Sequence, residues 1–440
     1  MRVPTLIPAT LALSLLLLSC GGKDATRSEN PPAIFPDYVG VTVPESMGGL
    51  LRFRMADGRK MTFKQERVED TLFFRVKTRD TVYAPFPVYL SHDEIDPYIA
   101  YRLIEPNYES WKHLGIYARQ LSSFREKAIV TNESNGGGCL NCHHFPGGDP
   151  TRMMFHARGR GGGSVFKDGD RIRLLNLTTV GPHRQGTYPA WHPSGRYIAF
   201  SSNSTHQSFP ITGSQPVEVF DTSSDLILYD AQTDSVTTYA PAFNEAEMET
   251  FPAWSPDGRV LYYCSAPQIP DVGKNRAEVR YDLKAVDFQD GAFRGEPRTV
   301  FSCDSLSVSF PRIFGKWLVF TAAAYGTFPI WHREADLWIL DLESGEARKL
   351  EEIDSPDTES YHSWSSNGRW LLFSSRRIDG RYTRLFLAHS DGNGHFDKPF
   401  LLPQKDPDHN TLRLKSYNIP EFVKGDPGNL DRQVSALFGL

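Results

Sequence analysis

The sequence predicts a mainly β fold, a ring of four-stranded blades, on three observations. A motif of aromatic residue, Gly-containing turn and apolar strand recurs four times in the second half. A further strand-like element follows each copy. The 35 glycines and 31 prolines among 440 residues suit a turn-rich β protein and not a disordered one.

The copies open with Tyr188-Pro189-Ala190-Trp191, Phe251-Pro252-Ala253-Trp254, Phe310-Pro311-Arg312-Ile313 and Tyr361-His362-Ser363-Trp364, and turn at Gly195, Gly258, Gly315 and Gly368. Glycine supplies the positive φ of a hairpin turn, and aromatic and branched residues fit the pleat. The third copy has a shortened turn, which leaves its register open. The next strands are Asp225–Asp230, Arg280–Val286, Asp336–Asp341 and Thr383–Ala388, each leading to a turn and another strand. Four strands every roughly 50–60 residues make a blade, and blades stack in a ring because none buries both faces alone. Asp170–Leu177 reads as the outer half of a further blade. Its missing strands are expected from Leu412–Phe422, which would latch the ring, or from the N-terminal region. Five or six blades result, with six favoured, over residues 166–422, followed by a tail, 423–440.

Residues 1–19 form an apolar leader with one positive charge, Arg2, and Cys20 follows directly. This resembles the lipobox of bacterial lipoproteins, in which the signal peptide is cut before a cysteine that is then acylated. The alternative is an ordinary cleaved signal peptide. Residues 20–34 are polar and small and read as a tether. The resemblance implies a lipid-anchored protein of the cell envelope, at the outer membrane, working beside a membrane and not within it. Residues 35–135 read as a small α+β region. Strand-like runs cover Leu50–Met55, Thr62–Glu66 and Leu72–Thr78. A helix is predicted over Tyr108–Phe124, from Trp111, Leu114, Tyr117, Leu121 and Phe124 at spacings of three and four. That stripe reads first as core.

The sharpest chemical signal is Cys139-Leu140-Asn141-Cys142-His143 within residues 136–165, flanked by glycine loops. Two thiols at this spacing add across the vinyl groups of one porphyrin face, and the adjacent imidazole reaches the iron from the same side. The expected cofactor is one covalent haem c on Cys139 and Cys142, with His143 as proximal ligand. The opposite iron ligand is expected from Met153, Met154 or His156, with His156 first. Zinc on Cys139 and Cys142 with two of His143, His144 and His156 is the minor alternative. A thioredoxin-like pair is disfavoured because Pro146 and Pro150 break any helix there. Cys264 and Cys303 read as buried thiols or as a disulfide.

The hairpin text resembles the repeats of TolB-type periplasmic proteins. More closely, residues 35–422 resemble a lipoprotein family of Gram-negative bacteria that joins a c-type haem motif to such a propeller. The stretches that carry the likeness include Ile34–Val41, Asp96–Pro106, Cys139–His143, Met154–Arg158, Ile330–Asp336, Ser360–Trp364 and Ser416–Phe422. The resemblance implies a monohaem cytochrome-like lipoprotein serving electron transfer or redox-linked binding of a protein partner. It supplies no catalytic residues.

The rival reading is a non-enzymatic propeller scaffold for a protein, peptide or glycan, with haem or metal only structural. A third is a haem enzyme with an open iron position. No nucleophile elbow is visible, and the chain reads as a non-enzyme. His192, His206, His332 and His362, near strand ends, are candidates to converge on the haem or a metal. Forty-eight basic residues against 53 acidic give −5. Losing Arg2 with the leader gives −6, so nucleic acid is not expected as a partner.

Overall fold

The computed structural model describes residues 25–105, 113–159, 162–177, 186–210, 215 and 217–440. The chain is a six-bladed β-propeller with a separate sheet at its N-terminal end. Each blade is a four-stranded antiparallel sheet. Blade 1 takes its inner strand from the end of the chain: Ser416–Val423 pairs with Tyr98–Ile104, followed outward by Gly115–Gln120 and Glu126–Thr131. Blade 2 runs Leu140–His144, Arg152–Ala157, Gly163–Asp168, Arg171–Leu174. Blades 3 to 6 open with Thr187–Trp191, Glu247–Trp254, Ser307–Phe314 and Glu359–Trp364. The four sequence repeats therefore each begin a blade, and the third repeat keeps its strand despite the short turn.

The structure corrects several sequence expectations. Gly115–Gln120, predicted as helix, is a strand. Pairing with Tyr98–Ile104 on one edge and Glu126–Thr131 on the other satisfies its backbone, and this overrides the helical spacing. The rest of that expected helix falls partly on 108–112, outside the described residues. Residues 98–131, expected in the α+β region, thus belong to the ring. The segment 136–165 is no separate haem loop, because Leu140–His144 is the inner strand of blade 2 and Arg152–Ala157 its second. Asp170–Leu177 does contribute an outer strand, but its blade is completed by Gly163–Asp168, Arg152–Ala157 and the cysteine-bearing Leu140–His144. The latch does come from the chain's end, and closes blade 1 instead. Residues 423–440 hold a helix, Asp431–Phe438, whose Val434 is buried beside Leu140, Phe145 and Met153. The leader and Cys20 lie outside the described residues.

The N-terminal sheet orders Thr26–Arg27, Thr81–Val82, Thr71–Thr78, Phe86–Ser91 and Thr42–Pro44, with Met61–Val68 paired to Thr71–Thr78. Its apolar face covers the seam where blade 6 meets blade 1. One continuous core joins Tyr38, Phe74 and Phe86 to Trp370 and Leu387 of blade 6 and to Tyr101 and Tyr417 of blade 1. Asp93 pairs with Arg369 at 2.9 Å and His389 at 2.7 Å across the same seam.

Closing the ring with a distant strand ties the two ends of the chain together. Ending the chain at Lys415 is expected to open blade 1 and abolish the cooperative thermal transition, read by calorimetry. Trp370→Ala, which empties a fully buried site, is expected to cost roughly 3–5 kcal/mol in denaturant unfolding while the ring still forms.

Candidate functional site

Every inner strand carries one non-glycine residue with φ near +50°: Ile419, Cys142, Tyr188, Phe251, Phe310 and Tyr361, one per blade in ring order. Each sits at a register break where two residues of the inner strand oppose one of its neighbour, for example between Thr187↔Ser201 and Ala190↔Ala199, or between Asn141↔His156 and His144↔Met154. These are β-bulges, which re-aim side chains, here toward the axis. Four aromatic rings meet there, with centroids 4.4 Å apart for Tyr188 and Phe251, 4.1 Å for Phe251 and Phe310 and 4.8 Å for Phe310 and Tyr361. Blades 1 and 2 supply only isoleucine and a thiol. The Cys-x-x-Cys-His motif is thus the blade repeat itself, with Cys142 in the axial position and His143 where four of the five other inner strands have proline.

A cavity with about 190 Å³ of internal space lies at this end of the channel and opens into a wide mouth. Cys139 and Cys142 both form its wall, with Tyr188, Tyr361, Arg102 and Arg158. Both thiols are unpaired and 8% exposed. Burial pushes the Cys142 thiol up. A glycine is needed before Cys139, since a Cβ on Gly138 would lie 1.9 Å from the Arg158 carbonyl oxygen. The Arg158 guanidinium has no ion-pair partner among the described residues. Arg102 donates to the Leu140 carbonyl at 3.3 Å. The arginines gave no signal in the sequence; the tyrosines did, as leaders of the repeats.

The donor set fits a haem in part. The thiols face the cavity at the right spacing. His143 is 2% exposed, and neither ring nitrogen has a hydrogen-bond partner. It lies outside the cavity wall, because successive residues of a strand point to opposite faces, and it turns toward blade 1 near Ala100 and Glu421. Burial pushes its pKa down to about 4. His362, at the same place in blade 6, is a plain structural histidine whose Nε2 lies 2.9 Å from the Val319 carbonyl. Placed as it is, His143 does not face the space that the thiols face.

The other expected ligands are elsewhere. Met153 packs between blade 2 and the C-terminal helix, and Met154 packs against Trp191 and Phe200. His156 is buried at the seam with blade 3, its Nδ1 3.4 Å from Ser164 Oγ. All three belong to the second strand, one strand back from the axis, so none lines the cavity. His144 points to the other mouth, where Nδ1 lies 3.0 Å from Glu421 Oε2. His143, His144 and His156 therefore face three directions, and the structure does not assemble the zinc set. Among the described residues, the one metal-type grouping of acids is Asp336, Asp354 and Glu359, and Lys349 already pairs with both aspartates, at 2.7 and 2.9 Å. Cys264 and Cys303 are unpaired, the first fully buried and the second half-buried.

Of the four propeller histidines, only His206 lines the cavity. It sits on a long hairpin, Tyr197–Ser208 with Glu218–Asp230, that roofs the mouth. His192 bonds across to the Gly258 carbonyl at 2.9 Å. His332 clasps the base of the roof: Nδ1 is 3.1 Å from Glu334 and Nε2 3.7 Å from Glu218. Tyr325 donates to Glu218 at 3.1 Å, and Arg276 stands 3.7 Å away. Burial alone would lower the His332 pKa, but the two carboxylates outweigh it and hold it at about 9.

No protein family matches the chain, nor does any curated protein. Among solved structures it is similar to TolB from Acinetobacter baumannii, at 12% identity over 88% of each chain with TM-score 0.46. TolB stands among its structural neighbours. The chain is also similar to a hypothetical selenium-binding protein from Sulfolobus tokodaii, at 11% identity over 84% of this chain and 94% of that one, TM-score 0.44. Hydrazine synthase of Kuenenia stuttgartiensis matches at 13% identity over 72% of this chain and 48% of its own, TM-score 0.42. At these identities the likenesses concern fold alone.

Two outcomes follow from the site's electrostatics. A histidine whose pKa is raised on folding stabilises fully below its ordinary 6.5 and ceases to as pH rises through about 9. The melting temperature is therefore expected to fall over that window, and His332→Gln to flatten the fall. Among Cys139, Cys142, Cys264 and Cys303, iodoacetamide is expected to reach Cys303 first, since hydrogen bonding from Ser305 holds its thiol pKa down. Cys264 is expected to react only after unfolding, because burial drives its pKa up. Peptide mapping by mass spectrometry reads both.

Proposed function

We propose that this protein is a lipid-anchored, propeller-based cytochrome of the cell envelope, carrying one haem on Cys139 and Cys142 and passing electrons to, or binding in a redox-linked way, a protein partner at the roofed mouth. The observation that carries the reading is the pair of unpaired thiols, two residues apart, in the wall of the axial cavity. Cys139 and Cys142 would hold the group through thioether bonds. Arg102 and Arg158 supply positive charge beside it, and the rings of Tyr188 and Tyr361 keep water from one side. When bound, haem supplies one-electron chemistry, with potential set by ligands and burial. His143 is the adjacent imidazole with both nitrogens unpaired, and it reaches the cavity only if the bulge at Cys142 turns over. Anchoring at Cys20 belongs to the same proposal. Among the described residues no helix is long and apolar enough to cross a membrane.

The direction of His143 favours a second reading: a propeller scaffold whose cavity grips a partner without redox chemistry. One experiment separates them. Full chain made in a host with haem-ligation machinery is expected to give a c-type pyridine haemochrome and a mass raised by one haem, both lost in Cys142→Ala. Colourless protein of unmodified mass would overturn the cytochrome reading and leave the scaffold.

A further inference from the structure

Two residues beyond each axial side chain, the inner strands present a second ring at the opposite mouth of the channel. From blade 3 round to blade 2 it reads Ala190, Ala253, Arg312, Ser363, Glu421, His144. Four neighbouring blades thus contribute a guanidinium, a hydroxyl, a carboxylate and an imidazole, and the remaining two contribute only methyl groups. The polar four line one cavity of about 830 Å³, counting its mouth, walled on its apolar side by Phe314, Trp364 and Phe422.

The hydrogen-bond accounts of this ring do not close. Glu421 is 7% exposed. Its Oε2 accepts from the Phe145 backbone N–H at 3.0 Å and pairs with His144, but its Oε1 has no partner. The Ser363 hydroxyl is buried and also without a partner. Arg312 donates to its neighbour's Pro311 carbonyl at 3.0 Å and meets no carboxylate within ion-pair distance among the described residues. Buried polar groups are almost always paired, and each exception calls for a reason. Arg312 and Glu421 sit two blades apart with Ser363 between them, so they face the same space without bonding to each other. A ligand carrying both charges would satisfy all three.

We propose that this mouth binds a small zwitterion of the α-amino-acid class with an apolar side chain. Its carboxylate is held by Arg312 and Ser363, a planar guanidinium being suited to a carboxylate. Its ammonium meets the unpaired Glu421 oxygen, and its side chain lies against Phe314, Trp364 and Phe422. The site faces away from Cys139 and Cys142 and does not rest on the haem reading.

The test is calorimetric titration of the full chain with L-leucine, glycine, 4-methylpentanoate (leucine without its ammonium) and 3-methylbutylamine (leucine without its carboxylate). Leucine is expected to bind, with both singly charged analogues weaker by at least about tenfold. Arg312→Gln is expected to bring leucine down to the level of the amine, and Glu421→Gln to that of the carboxylate. Should Glu421→Gln fail to fold for want of its bond to Phe145, Ser363→Ala is expected to weaken leucine and 4-methylpentanoate alike and leave the amine unchanged. Absence of binding by leucine and glycine, leucine binding unaffected by Arg312→Gln, or single-charge analogues as tight as leucine would each overturn the proposal.

Discussion

The structure turns on a bulge repeated six times around one axis. At each, a side chain larger than glycine is held in the left-handed region, a strain of about 1–3 kcal/mol that persists only where surroundings over-determine it. Here the neighbouring blades do so. Rings from blades 3 to 6 pack against one another at the centre, and the contact of each depends on the bulge of the next. The same feature makes the cavity. Where two adjacent blades put Ile419 and Cys142 in place of rings, the axis loses volume on one side, and the thiol is left facing the space. One backbone irregularity thereby sets the plug, the cavity beside it and the two mouths on either side.

Closure adds a second dependence. Blade 1 is complete only when Ser416–Val423 returns from the far end of the chain, so within that blade the closing strand and Tyr98–Ile104 are joined by hydrogen bonds and packing alone. The N-terminal sheet covers the seam between blades 6 and 1 with apolar surface, and the ion pairs of Asp93 with Arg369 and His389 lie along it. Apolar burial carries most of the stabilisation there, since partly exposed ion pairs contribute little. The C-terminal helix braces the other side of the closing strand, behind the cysteine segment.

Blade repetition gives each chemical residue an internal control. His143 and His362 occupy one position in different blades and share a direction, into the preceding blade. A feature found twice with no ligand in common is first a packing solution. Cys142 has no such double, because the five other axial positions hold apolar or aromatic side chains. The thiol pair therefore marks the cavity as chemical more strongly than the imidazole does. The second ring, at the far mouth, has the same character: it departs from alanine only over four contiguous blades, and there its polar groups go unmatched.

Sequence alone determined the four repeats and favoured six blades, because both rest on local alternation of apolar residues and on turns that need glycine; it offered the chain's end as one of two possible latches, and for a different blade. It also singled out Cys139, Cys142 and His143 by spacing. It misplaced Gly115–Gln120, whose stripe at spacings of three and four satisfies a helix until neighbouring strands claim its backbone. It set the cysteine motif in a loop, because histidines and a thiol in place of Tyr-Pro or Phe-Pro hid a sixth copy of the repeat. Which way each side chain points was decided by the tertiary structure: a bulge shifts the strand's alternation by one residue, and only pairing with a partner strand fixes where that shift falls. The convergence of Arg102 and Arg158 on the cavity, and of Arg312, Ser363 and Glu421 on the far mouth, belongs there too, since residues from separate blades meet only once the ring has closed.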